Sequence, residues 1–324
     1  MNILGIETSC DETAAAVVKD GQVVLSNIVA SSLKEHSRYG GIIPEIASRR
    51  QMELINAVVQ TALEKAGCKL KNIHAVAVTR SPGLIGSLLV GISYARALSF
   101  AAQKPLFEMD HIKAHLYANF LRFAGSPSSR RAPLPELPAV GLIVSGGHTN
   151  LYYLKNPGSF RLLGQTRDDA AGEAFDKVAR ILDLGYPGGP IIDRLARRGK
   201  NEHLRFACAD FPGSYDFSFS GIKTAVLYYK QKHSKTKGFN PAAVAYSFQD
   251  SVVSVLVKKS TAACLHKKVK TLLVGGGVAA NSALRKKLQE AGQQHHIDVF
   301  FPPLALCLDN AAMIAGLAHH RGKE

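Results

Sequence analysis

The feature that most constrains this chain is a hairpin that it makes twice. Residues 4–18, LGIETSCDETAAAVV, run apolar, turn polar from Glu7 to Thr13, and become apolar again. Residues 139–154, AVGLIVSGGHTNLYYL, repeat the design around Ser145, Gly146, Gly147, His148 and Thr149. Two β-prone runs joined by a few turn-forming residues read as a β-hairpin. Helical stretches follow each hairpin, and then a strand, a glycine loop and a helix: HAVAVTRSPGLIGSLLVGISYARALSFAA in the first half, KTLLVGGGVAANSALRKKLQEAG in the second. The order of types matches across the halves, with about 60 extra residues in the second, so the sequence predicts an internal duplication. A duplicated α/β unit implies two similar lobes with a central cleft. The expected lobes are 1–110, completed by a C-terminal helix at 309–324, and 111–308, with an insertion at about 160–240.

A length of 324 residues suits two such domains, and 46% hydrophobic with 20% charged residues is ordinary for folded α/β proteins. No run reaches 18 uninterrupted apolar residues, because Arg80 and Arg96 bracket the best candidate, and the chain opens directly on a strand. The expectation is a cytoplasmic protein with no membrane partner. Five scattered cysteines without a C-x-x-C pair argue against a disulfide framework or a thiolate zinc site. Cys10, in the polar turn, reads either as a small buried residue or as a nucleophile.

The charge of +15 is uneven. Residues 1–105 carry 11 Lys+Arg against 8 Asp+Glu, and the rest carries 29 against 17. The basic second half, with clusters such as YYKQKHSKTKG and LHKKVK, has the electrostatic footprint of a polyanion binder. No recognition helix, RNP signature or aromatic platform accompanies the charge, so contact through a nucleic-acid backbone is expected. The Pro/Ser-rich segment 125–138 and the lysine-rich 233–241 read as surface loops.

Glycine turns between strand and helix present backbone N–H groups that suit phosphate, and three appear: Ser145 to Thr149, Gly188 with Gly189, and Gly275 to Gly277. Tight turns need glycine for backbone reasons as well. Neither a P-loop nor a G-x-G-x-x-G after the first strand is present. The stretch DDAAGEAFDKVARIL sets Asp168, Asp169, Glu173 and Asp176 at helical spacing, either to hold sugar hydroxyls or a metal, or to complement a helix dipole. His111 and His115 lie four apart, on one face of a helix, as a metal-ligand pair must, although the spacing alone decides little. Asp309, before a helical run of small residues, is available as a third ligand, and two histidines with one carboxylate suit iron(II) or another divalent metal.

Taken in order, LGIETSCDET, YGGIIPEIASR, the histidine pair, IVSGGHT, DDAAGEAFDKVARILDLGYPGGP, FSFSGIKTA, GGGVAANSALR and CLDNAAMIA resemble the bacterial TsaD family along nearly the whole chain. These are tRNA N6-adenosine threonylcarbamoyltransferases. The resemblance implies the actin/Hsp70/sugar-kinase-like (ASKHA) fold. It implies transfer of threonylcarbamoyl from threonylcarbamoyl-AMP to the N6 amine of adenosine 37 in tRNAs reading codons that begin with A. It also implies metal ligands at His111, His115 and Asp309 holding Fe(2+), one per subunit, with zinc as the alternative. Substrate contacts are implied at Ile143, Val144, Ser145, Gly146, Gly147, Asp176, Gly189, Asp193 and Asn281. The implied partners are tRNA, an inactive TsaB-like paralogue and a small TsaE-like P-loop ATPase. Asp11 and Glu12, at the tip of the first hairpin, are candidates to take the amine's proton. The chain departs from the family pattern at Lys113 and Ala114 between the histidines, at Arg80 and Ser81, and at Leu308. An ATP-dependent small-molecule kinase or ATPase on the same fold is the alternative, and it would have no use for the histidine pair.

Overall fold

The computed structural model describes residues 1–125, 133–199, 204–236 and 238–321. The chain divides into two compact units, Met1–Pro135 with Pro302–Glu324, and Glu136–Phe301. In the first unit, β1 (Asn2–Glu7), β2 (Glu12–Lys19) and β3 (Val23–Ser31) form an antiparallel meander. The strands β4 (Ala75–Ser81), β5 (Leu106–Asp110) and the short β6 (Arg122–Phe123) complete a sheet of order β5-β4-β1-β2-β3-β6. The second unit holds β7 (Ala139–Val144), β8 (Thr149–Asn156), β9 (Ser159–Gln165), β10 (Thr271–Gly275) and β11 (Asp298–Phe300), ordered β11-β10-β7-β8-β9. Apart from β6 the two orders correspond strand for strand, with β4 parallel to β1 and β10 parallel to β7. The duplicated hairpin is thus the seed of a duplicated sheet.

Between β3 and β4 lie the single-turn α1 (Leu33–Ser37) and the long α2 (Pro44–Lys65). Pro44 occupies the first turn of α2, where its missing N–H costs nothing. Gln51, Ile55, Val58, Val59 and Ala62 form the buried stripe of α2, at helical spacing. They close on Leu4, Ile6, Val17, Val76 and Val78 from the sheet. The next helix, α3 (Ile85–Ala102), is the one described helix long and apolar enough to cross a membrane by length and composition. Its buried positions are the small residues Ser87, Gly91, Ala95 and Ser99, repeating every four residues. Small side chains let the helix approach its neighbours closely, Val90, Ile92, Tyr94 and Leu98 pack half-buried at the flanks, and the opposite face is open: Ile85 is 79% and Phe100 86% exposed.

The expected boundary at 110/111 falls inside the first unit. The helix α4 (His111–Tyr117) packs on α10 (Ala311–Ala318), and β6 pairs with β3, so the chain is committed to this unit beyond residue 110. On the other side the division comes at 301/302, just after β11. The buried helix α10 lies against β1, β2 and β4. Gly5 makes this approach feasible, since a Cβ there would sit 2.3 Å from the Ala311 carbonyl oxygen and 2.9 Å from the Ala315 Cβ.

In the second unit, α5 (Ala171–Ile181), α6 (Gly188–Ala196), α7 (Ser220–His233), α8 (Pro241–Lys267) and α9 (Ser282–His295) accompany the sheet. Asn240 caps α8 by accepting from the Ala242 and Ala243 amides, with Pro241 in the first turn. Phe175 of α5 meets Phe248 of α8 edge to face, with centroids 5.0 Å apart. Parts of the expected surface loops and basic clusters, at 126–132, 200–203, 237 and 322–324, lie outside the described residues.

Candidate active site

The centre of the first unit is built on two helix starts. Asp110 caps α4, its carboxylate accepting the Lys113 amide at 2.9 Å, and this opens the helix with His111. His115, one turn on, falls on the same face. Asn310 caps α10 from the Met313 amide at 3.1 Å and donates to the Leu308 carbonyl at 2.8 Å, which pins the peptides on either side of Asp309. The three side chains converge. His115 Nε2 lies 3.2 Å from His111 Nε2 and 3.1 Å from Asp309 Oδ1, and His111 Nε2 lies 3.5 Å from that oxygen. His115 is 1% exposed, while the Asp309 side chain is 22% exposed and gives the centre its opening.

Burial alone would raise the Asp309 carboxyl, but the two imidazoles beside it hold it far below the usual carboxylate range. Burial alone would lower His111, yet Asp309 and Glu7 hold it well above an ordinary imidazole. Both directions describe a place that favours positive charge. Two imidazole nitrogens and a carboxylate oxygen, all within 4.8 Å of one another, form a donor set that fits a divalent transition metal. Glu7, at the end of β1, backs the centre: its Oε2 lies 3.1 Å from His111 Nδ1.

The tip between β1 and β2 is held from outside at each of its carbonyls. The Gln51 amide donates to Cys10 O at 2.9 Å, Glu12 O at 3.0 Å and Thr8 O at 3.4 Å. The Leu84 amide takes Ser9 O at 2.8 Å, the Ser87 hydroxyl takes Cys10 O at 3.1 Å, and the Ser32 hydroxyl takes Asp11 O at 2.7 Å. This fixes Asp11 and Glu12 next to the centre. Burial, with the charges of Asp309 and Asp11, pushes the Glu12 carboxyl up to about 10. Burial and the same carboxylates push the Cys10 thiol above the usual thiol range, so Cys10 is protonated and the nucleophile alternative falls away.

In the second unit the sequence-derived candidates gather in two sets. The tip between β7 and β8 closes on itself, Ser145 N donating to His148 O at 2.8 Å. The Ser145 amide is therefore spent inside the turn. At Gly146 and Gly147 a Cβ would meet nothing within 4 Å. The start of α5 abuts this turn, Gly172 N donating to Ser145 O at 3.1 Å. Gly276 passes behind it at φ +91°, where a Cβ would sit 2.5 Å from Val144 O. The side chains of Ile143 and Val144 are wholly buried, so only their backbone is available to a ligand. In the second set, Asp176 accepts the Gly188 amide at 2.7 Å beside Gly189, while Asp193 accepts the Ser282 hydroxyl at 2.7 Å and the Arg197 guanidinium at 2.8 Å. Burial raises the Asp176 carboxyl. Asn281 caps α9 and donates to Gln249 at 2.8 Å.

The neighbouring acids serve the fold. Asp168 holds the Phe219 amide at 2.8 Å at the start of α7, and Asp169 pairs with Lys177 and Lys223 at 2.7 and 2.8 Å. The sequence reading assigned no role to Glu7, Thr79 or Gln51. The available signals were a carboxylate closing the apolar run LGIE and a lone amide on the buried stripe of α2.

Residues 23–316 match the family described as TsaD: tRNA N6-adenosine threonylcarbamoyltransferase. Curated relatives of that name include one from Clostridium botulinum strain Hall, 51% identical over 98% of this chain and 92% of its own length. Another, from Syntrophus aciditrophicus, is 50% identical over 97% and 90%. The chain belongs to the TsaD family. Among solved structures it is similar to component A of (R)-2-hydroxyglutaryl-CoA dehydratase from Acidaminococcus fermentans, at TM-score 0.57 and 17% identity over all of both chains. It is also similar to HypF from T. kodakarensis, at TM-score 0.64 and 14% identity over 99% of this chain and 48% of that one. These likenesses place the TsaD-family chain in the actin/Hsp70/sugar-kinase-like (ASKHA) fold.

Proposed function

We propose that the chain transfers a threonylcarbamoyl group from threonylcarbamoyl-AMP to the N6 amine of adenosine 37 in tRNA, using His111, His115 and Asp309 to hold a divalent cation, iron(II) by preference. The observation that carries this reading is the convergence of those three donors in a chain about half identical to named tRNA N6-adenosine threonylcarbamoyltransferases. In the transfer, the amine nitrogen bonds to the carbamoyl carbon, the bond from that carbon to the phosphate oxygen breaks, AMP leaves with the electron pair, and N6 loses a proton. The donor is already activated, so the protein's work is positioning and charge stabilisation. The cation, when bound, supplies a Lewis acid for an oxygen of the donor.

The amides of Gly146 and Gly147, in a turn with no Cβ in the way and next to the start of α5, suit the AMP phosphate. Asp176, Gly189, Asp193 and Asn281 are the groups proposed for the nucleoside. Burial and the charges of Asp309 and Asp11 keep the proton on Glu12 up to about pH 10, so Asp11 is the member of the pair proposed to accept the proton from N6. The basic surface of residues 106–324 suits the tRNA backbone, and the TsaB-like paralogue and TsaE-like ATPase are proposed partners in a cytoplasmic reaction.

The test supplies the purified chain with threonylcarbamoyl-AMP and unmodified tRNA, with and without both proposed partners, and analyses the nucleosides by mass spectrometry. Threonylcarbamoyladenosine that depends on His115 and Asp309 supports the reading. ATP turnover on a small substrate, with tRNA unmodified under every condition, overturns it.

A further inference from the structure

His111 and His115 face the same point with their Nε2 atoms, but what stands behind each ring differs. His115 Nδ1 is buried without a hydrogen-bond partner. His111 Nδ1 lies 3.1 Å from Glu7 Oε2 and 3.2 Å from the Ser9 hydroxyl. Glu7 is 0% exposed, an expensive place for a carboxylate unless donors surround it. They do: Ser9 N–H donates to Oε1 at 2.6 Å, and the Thr79 hydroxyl donates to Oε2. With one oxygen tied to its own turn and the other to β4, the carboxylate cannot swing away from the ring.

A carboxylate only accepts, so the proton between Glu7 and His111 belongs on Nδ1. The lone pair of Nε2 is then left facing His115 and Asp309. From this geometry we propose that Glu7 is the positioning residue of the centre, fixing the tautomer and orientation of His111 and thereby setting the affinity for the divalent cation. Outer carboxylates behind ligating imidazoles act in this way in metal sites generally. The proposal rests on the cation-holding reading of His111, His115 and Asp309. It also explains why a charged residue ends the apolar strand β1: as a mere brace for the turn, Glu7 would need only the Ser9 amide, and no imidazole on its second oxygen.

The experiment uses Co²⁺ as the probe, titrated into the metal-free chain and followed by its visible absorption, with a chelator in competition. Glu7→Gln keeps the shape and an accepting oxygen but removes the charge. The expected result is a Kd for Co²⁺ raised about tenfold to hundredfold, with the melting temperature of the metal-free protein little changed. A melting temperature that falls while the folded protein binds Co²⁺ as tightly as the parent makes Glu7 a structural brace and overturns the proposal. If the parent itself binds no Co²⁺, the cation-holding reading fails and Glu7's role fails with it. Should Glu7→Gln not fold, long-range ¹H–¹⁵N spectra of the Zn²⁺-loaded parent decide. A proton on Nδ1 of His111 supports the proposal, and a proton on Nε2 refutes it.

Discussion

Replacing Gly5 by alanine tests how the C-terminal segment places Asp309 beside His111 and His115. The new Cβ would stand 2.3 Å from the Ala311 carbonyl oxygen and 2.9 Å from the Ala315 nitrogen, where ordinary contact is 3.4–4 Å. Backbone on both sides of the clash leaves no flexible side chain to yield, so α10 must retreat by roughly 1 Å, and overpacking of this kind costs about 1–3 kcal/mol. In a unit of this size about 2 kcal/mol lowers the melting temperature by roughly 6 °C. Asp309 lies two residues before Ala311 and moves with it. Metal sites tolerate distance errors of about 0.2 Å, so the same retreat weakens Co²⁺ binding, and misplacement by about 1 Å costs on the order of a hundredfold in turnover. The assays are thermal denaturation of metal-free protein, Co²⁺ titration and the tRNA modification rate. Gly146→Ala, where a Cβ meets nothing within 4 Å, is the control expected to leave the melting temperature in place. A Gly5→Ala protein that melts with the parent and binds Co²⁺ equally well would refute the packing of α10 on β1.

Asp309→Ala removes the one carboxylate of the centre and should abolish measurable Co²⁺ binding and tRNA modification while the chain stays folded by circular dichroism. Glu12 carries a folded-state pKa raised from 4.5 to about 10, so the folded metal-free protein binds the extra proton between those values and stability falls as pH rises through that window. Glu12→Gln should therefore flatten the decline in denaturant midpoint between about pH 5 and 9, and an unchanged slope would rule out this carboxyl as its source. Gln51→Ala releases two carbonyls held at 2.9 and 3.0 Å and should lower the unfolding free energy by about 2–4 kcal/mol, read from urea denaturation. Gly276→Ala combines a φ of +91° with a Cβ 2.5 Å from Val144 O, and should both destabilise the protein by about 2–3 kcal/mol and weaken AMP binding measured by calorimetry.

The sheet was legible in the sequence because a hairpin with both strands buried must be apolar on both sides of its turn. LGIETSCDETAAAVV and AVGLIVSGGHTNLYYL carry that demand locally. The limits of the units were not, since they depend on α4 meeting α10 and β6 joining β3, contacts between segments far apart in the chain. Likewise the apolar content of α3 predicts a helix but not its packing face, whose fully buried positions are the small Ser87, Gly91, Ala95 and Ser99. The histidine pair was legible as a spacing, and Asp309 only as a candidate beside it, for nothing local to residue 309 encodes a partner 194 residues earlier. Glu7 was hidden by its setting, a carboxylate at the end of β1 beside a polar turn, with nothing local to show that it is wholly buried.

The two copies of the hairpin have diverged in electrostatic sign, and each divergence follows from what holds the tip. Around the first, side chains and an amide from α2, α3 and Ser32 consume the carbonyls of residues 8–12, so the groups left to act are the carboxyls of Asp11 and Glu12. There burial with the charges of Asp309 and Asp11 pushes the Glu12 carboxyl up to about 10, and Asp309 and Glu7 hold His111 above an ordinary imidazole. Around the second, glycines remove the side chains, the Ser145 amide turns inward, and the start of α5 adds its partial positive charge to the amides of Gly146 and Gly147. That tip suits an anion. A duplicated hairpin has thus kept its backbone while one tip came to carry carboxyls and the other bare amides, a divergence set by what packs around each tip within its own unit.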